Sequence, residues 1–118
     1  MFVNFSNHPA EKWTEEQRNA AEKYGEIRDV AFPEVDPTWS ERSVGKLAEE
    51  CAAEILECEP DFVLCQGEFC LAFAVTEILK MKGVRVGAAC SRRICEEHVE
   101  DGVTKKTLVF KFVQFREY

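Results

Sequence analysis

The chain reads as an α/β domain, a small three-layer sandwich built on a mainly parallel sheet. Two observations carry this reading. Short apolar runs alternate three times with segments whose apolar residues recur at helical spacing, which implies parallel strands joined by right-handed crossovers. After the third such segment the pattern changes to strand, turn, strand around Asp101-Gly102, a pair that favours a tight hairpin.

Each element follows from its residues. Residues 2–6 predict the first strand. Asn7-His8-Pro9 breaks it, because proline donates no ladder hydrogen bond and pushes the residue before it away from helix. Thr14 followed by Gln17 is a capping-box spacing and opens a helix reaching Lys23. Ile27, Val30 and Phe32 mark a second strand over 27–32, stopped by Pro33, and 33–39 reads as a loop over the sheet edge. Ser40 caps a second helix whose apolar face carries Val44, Leu47, Ala48, Cys51, Ile55 and Leu56. Phe62-Val63-Leu64-Cys65, apolar without interruption, predicts a central strand over 62–66 buried on both faces. Gln66-Gly67-Glu68 leads into an apolar helix over 69–81, and residues 84–89 give the fourth strand.

The hairpin is expected as a separate unit after Arg93, with arms over 94–99 and 107–115. Strict alternation in the second arm puts Leu108, Phe110, Phe112 and Gln114 on one face, and Val109, Lys111, Val113 and Phe115 on the other. Both faces are apolar, which predicts covering layers or a second subunit. The expected sheet order is 2-1-3-4 extended by the hairpin, in one domain spanning residues 1–118.

Size and charge narrow the function. At 118 residues there is room for a single core. A formal net charge of −7 argues against duplex DNA or RNA, which needs a broad basic footprint, but not against a small phosphate ligand held by a few local donors. No apolar run reaches the roughly 18 to 20 residues of a membrane helix, so no membrane partner is expected. Met1-Phe2-Val3-Asn4 has no basic leader pattern, and the expected location is cytoplasmic. Six cysteines lack any C-x-x-C pair and read as small buried hydrophobes. A redox or metal role for Cys65, Cys70 and Cys90, gathered at the sheet edge, is the alternative.

Three segments turn polar where strands are expected to end. If the strands are parallel, these exits open at one edge of the sheet, where ligands of open α/β folds bind. At the first, Ser6 and Asn7 offer a hydroxyl and an amide, and His8 can exchange a proton near neutral pH; a local turn is the plainer account. At the second, Gln66-Gly67-Glu68, the glycine permits close backbone approach and the helix amides can bind an anion. Glu68 there is either a ligand for a ribose or base, a nucleophile, or a compensating charge on the helix dipole. At the third, Ser91, Arg92 and Arg93 suit bidentate phosphate contacts, or the arginines offset Glu96 and Glu97. Adjacent residues on a strand face opposite ways, so at most one arginine enters the pocket. Together the groups suit an anionic, hydrogen-bonding ligand of nucleotide type.

The exits Val3-Asn4-Phe5-Ser6-Asn7-His8-Pro9, Gln66-Gly67-Glu68 and Ala89-Cys90-Ser91-Arg92, in so short a chain, resemble the small CRISPR-associated Rossmann-like proteins, which include the stand-alone ring nucleases. The likeness covers the layout of the first 95 residues. It implies a Rossmann-like fold of the kind that senses cyclic oligonucleotides, a homodimer, and a cyclic oligoadenylate bound across its two-fold axis. It also implies cleavage without metal or other cofactor, leaving a 2′,3′-cyclic phosphate and ending an antiviral signal. The chemistry, rather than a family motif, gives the roles: the arginines and the amides after Gly67 for phosphate, Ser6 and Asn7 for ribose, His8 for the proton. The alternatives are a non-catalytic nucleotide sensor and a nucleoside-processing hydrolase or transferase using Glu68.

Overall fold

A computed structural model describes residues 1–118. The element order is β1 (Phe2–Phe5), a single 3-10 turn (Ala10–Lys12), α1 (Glu15–Glu22), β2 (Ile27–Asp29), α2 (Glu41–Glu57), β3 (Phe62–Cys65), α3 (Phe69–Met81), β4 (Val86–Glu100) and β5 (Val103–Glu117). One five-stranded sheet runs β2-β1-β3-β4-β5. The first four strands are parallel and β5 returns antiparallel to β4. The α/β class, the order and the antiparallel C-terminal hairpin are those the sequence predicts.

The predicted caps form. Thr14 Oγ1 accepts from Gln17 N at 3.3 Å and Ser40 Oγ from Ser43 N at 3.1 Å, so each helix begins where its polar side chain replaces a missing backbone acceptor. Alternation along the short strands splits the core between two faces. Val3, Phe5, Val63, Cys65 and Val86 face α2 and α3, against Val44, Ala48, Ile55, Leu71, Val75 and Leu79. Phe2, Phe62 and Leu64 face α1, with Trp13, Tyr24 and Phe115 packed around them. The aromatic rings form a continuous seam there, Phe2 lying 5.5 Å from Phe62 and 4.9 Å from Phe115.

Three boundaries differ from the sequence reading. β2 ends at Asp29 rather than at residue 32, because Phe32 leaves the sheet to pack on Phe5, 4.7 Å between centroids. The fourth strand and the first hairpin arm are one strand, so Gly87–Arg93 is no exit: β4 runs unbroken to Glu100 beside β5. Asp101 and Gly102 both take positive φ, 51° and 75°, the backbone that a two-residue turn matched to strand twist requires.

The third difference is a register shift. Cys90 pairs with Gln114 but Ser91 with Phe112, leaving Val113 as an extra residue in β5. Strict alternation would separate Phe112 from Phe115. The extra residue rotates the strand, and the two rings meet at 4.9 Å on the α1 side. The bulge thus places Phe112 and Phe115 on one face. Past it the hairpin projects from the body, which accounts for a radius of gyration of 16.9 Å, against about 13.5 Å for a compact chain of this length.

Inserting one residue between Cys90 and Ser91 gives Val113 a partner and removes the bulge, so Phe112 and Phe115, three positions apart in a regular ladder, no longer share a face and one ring leaves the seam. The expected loss is about 3 kcal/mol, comparable to truncating a buried phenylalanine, read from urea unfolding. Near-native stability of the insertion variant would contradict this role for the bulge.

Candidate functional site

β1 and β3 are adjacent and parallel, yet the chain leaves β1 toward β2 on one side and reaches β4 from β3 on the other. Their C-terminal ends therefore form the topological switch, a cleft that neither crossover covers. The turn after β1 is built on Asn4, a polar residue with 1% exposure in the centre of the sheet. Its Nδ2 donates to Asp29 Oδ1 at 2.8 Å and to the His8 carbonyl at 2.9 Å. Its Oδ1 accepts from the Ser6 hydroxyl at 2.7 Å. Every hydrogen-bonding group of that side chain is used, as burial demands. Asp29 also accepts from Ala10 N at 3.2 Å, and Trp13 Nε1 donates to the His8 carbonyl at 3.1 Å.

The consequence is a fixed turn with a free edge. Ser6 gives its proton to Asn4 and accepts from His8 N at 3.3 Å, so its hydroxyl belongs to the scaffold. His8 is held by its main chain and is an exposed residue lining the cleft. The turn after β3 is fixed as firmly. Gln66 Oε1 accepts from Ala89 N at 3.0 Å, taking the β4 amide left unpaired where β3 ends. At Gly67 an added Cβ would lie 2.5 Å from the Phe32 ring. That glycine makes room for the core rather than for a ligand.

Around these turns lies a cavity of about 580 Å³. Of the residues predicted from sequence, Ser6, Asn7, His8, Gln66, Gly67 and Ser91 line it. Three do not. Glu68 lies in an adjoining hollow with Asn7, Phe32 and Trp39. Its two carboxylate oxygens accept from Cys70 N at 3.0 Å and Leu71 N at 2.8 Å, and these bonds hold its carboxyl below the ordinary range. A carboxylate so engaged caps α3 and is not poised as a nucleophile. Arg92 stands on the other face of β4 from Ser91, opposite Lys111, and Arg93 is one pleat further out opposite Phe110. Neither lines the cavity.

Residues not anticipated from sequence complete the wall: Lys12, Trp13, Gln17, Phe110 and Phe112. Lys12 supplies the one cation. It is carried by the 3-10 turn, which Arg18 Nη2 ties to α1 by donating to the Ala10 carbonyl at 3.2 Å. Phe110 is 64% exposed beside this cavity, an aromatic face with nothing stacked on it. The cysteines divide. Cys51 and Cys65 are buried as expected, but Cys70 and Cys95 are exposed. Burial pushes the Cys65 thiol up to about 11, so it stays protonated at neutral pH.

A larger cavity, about 920 Å³, runs along the outer face of α3 past Phe69, Phe73 and Met81 and meets the first at Gln66 and Gly67. Its wall is mostly apolar, and its one ammonium, Lys80, donates to the Tyr118 carbonyl at 2.6 Å. No helix is long and apolar enough to cross a membrane.

The family model described as "Uncharacterized protein MJ1673 family" matches residues 1–116. The chain belongs to that family. No curated protein and no solved structure matches it.

Asn4→Ala removes a fully satisfied buried amide and strands three partners: Asp29, the His8 carbonyl and Ser6. The expected loss is about 2 to 4 kcal/mol, with faster amide exchange at residues 6–10 than in the rest of the sheet. An unfolding midpoint within error of wild type would contradict the organising role given to Asn4.

Proposed function

We propose that the chain is a Rossmann-like nucleotide-binding protein whose site is the β1/β3 switch cleft. The observation that carries the reading is convergence: an imidazole, three side-chain amides, an ammonium and an open aromatic face border one cavity at the sheet edge. An ammonium suits phosphate, amides suit ribose and base edges, and Phe110 offers a stacking surface. In its specific form the ligand is a cyclic oligoadenylate, held by a homodimer and cleaved as a ring nuclease would cleave it.

The reaction then requires little of the protein. A ribose 2′-hydroxyl attacks the adjacent phosphorus, the bond to the 5′-oxygen breaks, and a 2′,3′-cyclic phosphate remains. Positioning the nucleophile in line with the leaving oxygen supplies much of the rate. Lys12, rather than Arg92, would neutralise charge growing on the phosphate. Asn7 and Gln66 would hold ribose and base. His8, the one imidazole at the cleft, would take the 2′-proton or protonate the leaving oxygen. Ser6, its hydroxyl already committed, would act by shaping the turn.

The committed Ser6 hydroxyl and the distance of both arginines from the cavity favour a second reading, a non-catalytic sensor that binds the same ligand and transmits its presence through the hairpin. His8 separates the two. Purified protein incubated with cyclic tri-, tetra- and hexa-adenylate, with and without chelator, is expected to linearise at least one ring. Lys12→Ala should weaken binding about tenfold to a hundredfold, the value of a charge-assisted contact. His8→Ala should spare affinity and slow cleavage about a hundredfold. Binding without cleavage by wild type establishes the sensor; no binding to any ring removes the nucleotide reading for these ligands.

A further inference from the structure

Beyond Ala89 the two strands of the hairpin have only each other. β3 pairs with β4 at Val63–Val86 and Leu64–Gly87 alone, and Gln66 takes the Ala89 amide. A lone two-stranded ribbon is marginal in water, yet this one extends to Glu100 and Val103 with Val99, Val103, Phe110 and Val113 exposed. The Ala89 N–H points away from β5. Carried along the strand, that alternation turns the main-chain groups of Ser91, Arg93, Cys95, Glu97 and Val99 outward, an open edge ready to pair.

The geometry points to a second copy of this chain as the occupant of that edge, paired antiparallel along β4 about a two-fold axis at Ile94. Charge decides it. The segment Arg92-Arg93-Ile94-Cys95-Glu96-Glu97 is basic in its first half and acidic in its second, so an antiparallel copy sets opposite signs together. An axis at Ile94 places Arg92 directly opposite Glu96 of the other copy on one face. Arg93 then lies diagonal to Glu97 of the other copy on the second face, and the exchange repeats by symmetry. Within one chain Arg92 stands opposite Lys111, a like charge, and Arg92, Arg93 and Glu96 form no ion pair. The other open edge, β5, carries Lys105, Lys106 and Lys111, the residues that discourage strand addition. Joining two β4 edges makes the lone ribbons into a four-stranded sheet. This gives the homodimer of the proposed function a specific interface, and its readout, oligomeric state, is separate from ligand binding and cleavage.

Sedimentation equilibrium of the full chain should show a dimer at micromolar concentration. Arg92→Glu/Arg93→Glu makes the edge wholly acidic and Glu96→Arg/Glu97→Arg makes it wholly basic. Each alone should raise the dimer dissociation constant at least about tenfold. Mixing the two should form a heterodimer, and combining all four substitutions in one chain should restore self-association. The restored pair also guards against misfolding as the cause of monomers. A monomeric wild type, reversed variants that dimerise like wild type, or failure of the mixed pair to associate would each overturn the proposal; the second outcome would direct attention to the apolar face of α3.

Discussion

A primary amide sits where an apolar side chain would be expected, at Asn4 in the middle of the sheet, and the architecture of the cleft depends on it. An unpaired amide in that position would cost a large part of the stability of so small a domain. Asn4 avoids this by bonding to three segments at once: the end of β2 through Asp29, the turn after β1 through Ser6, and the approach to the 3-10 turn through the His8 carbonyl. The same bonds that satisfy its burial fix the course of residues 6–10. They present His8 and Lys12 to the cavity while consuming the Ser6 hydroxyl. Core energetics and site geometry are one problem here.

The opposite wall depends on a different constraint, the need to keep rings together. Phe2, Phe62 and Phe115 stack across the α1 face, and Phe112 joins them only because Val113 is bulged out. That rotation sets the face of the hairpin that closes the cavity, bringing Phe110 and Phe112 to its rim. Gln66 links the two walls, since its side chain fixes β4 at Ala89 while its backbone begins the turn to α3. A ligand in the cleft would touch the body through the β1 and β3 turns and the hairpin through Ser91 and Phe110. Its binding would thus be felt in the projecting ribbon whether or not it is cleaved.

Much of the fold was legible because its signals are local. The strand and helix periods, the Thr14 and Ser40 caps and the Asp101-Gly102 turn each depend on residues a few positions apart. The polar exits after β1 and β3 were legible for the same reason, and they do meet. What was not legible depends on distant partners. Ser91–Arg93 resembles an exit, but β5, nearly twenty residues on, keeps it in a strand. The bulge leaves no period-2 signature, because the extra residue, Val113, is itself apolar. Glu68 fitted three roles, and two backbone amides of α3 select the cap. Gly67 was read toward a ligand when Phe32, thirty-five positions earlier, is what requires it. Asn4 did carry a usable signal: one polar residue inside Phe2-Val3-Asn4-Phe5 asks which partners satisfy it. Lys12 carried none, since its place follows from a single helical turn anchored by Arg18.

The central claim is that the β1/β3 cleft, rather than the apolar channel along α3, receives a nucleotide. Titrating ¹⁵N-labelled protein with cyclic oligoadenylates and following amide chemical shifts tests this most directly. The account predicts the largest changes at Asn7, His8, Lys12, Gln66, Gly67 and Ser91, with smaller ones spreading into the hairpin. Changes concentrated on Phe69, Phe73 and Met81, or no saturable change anywhere, would contradict it.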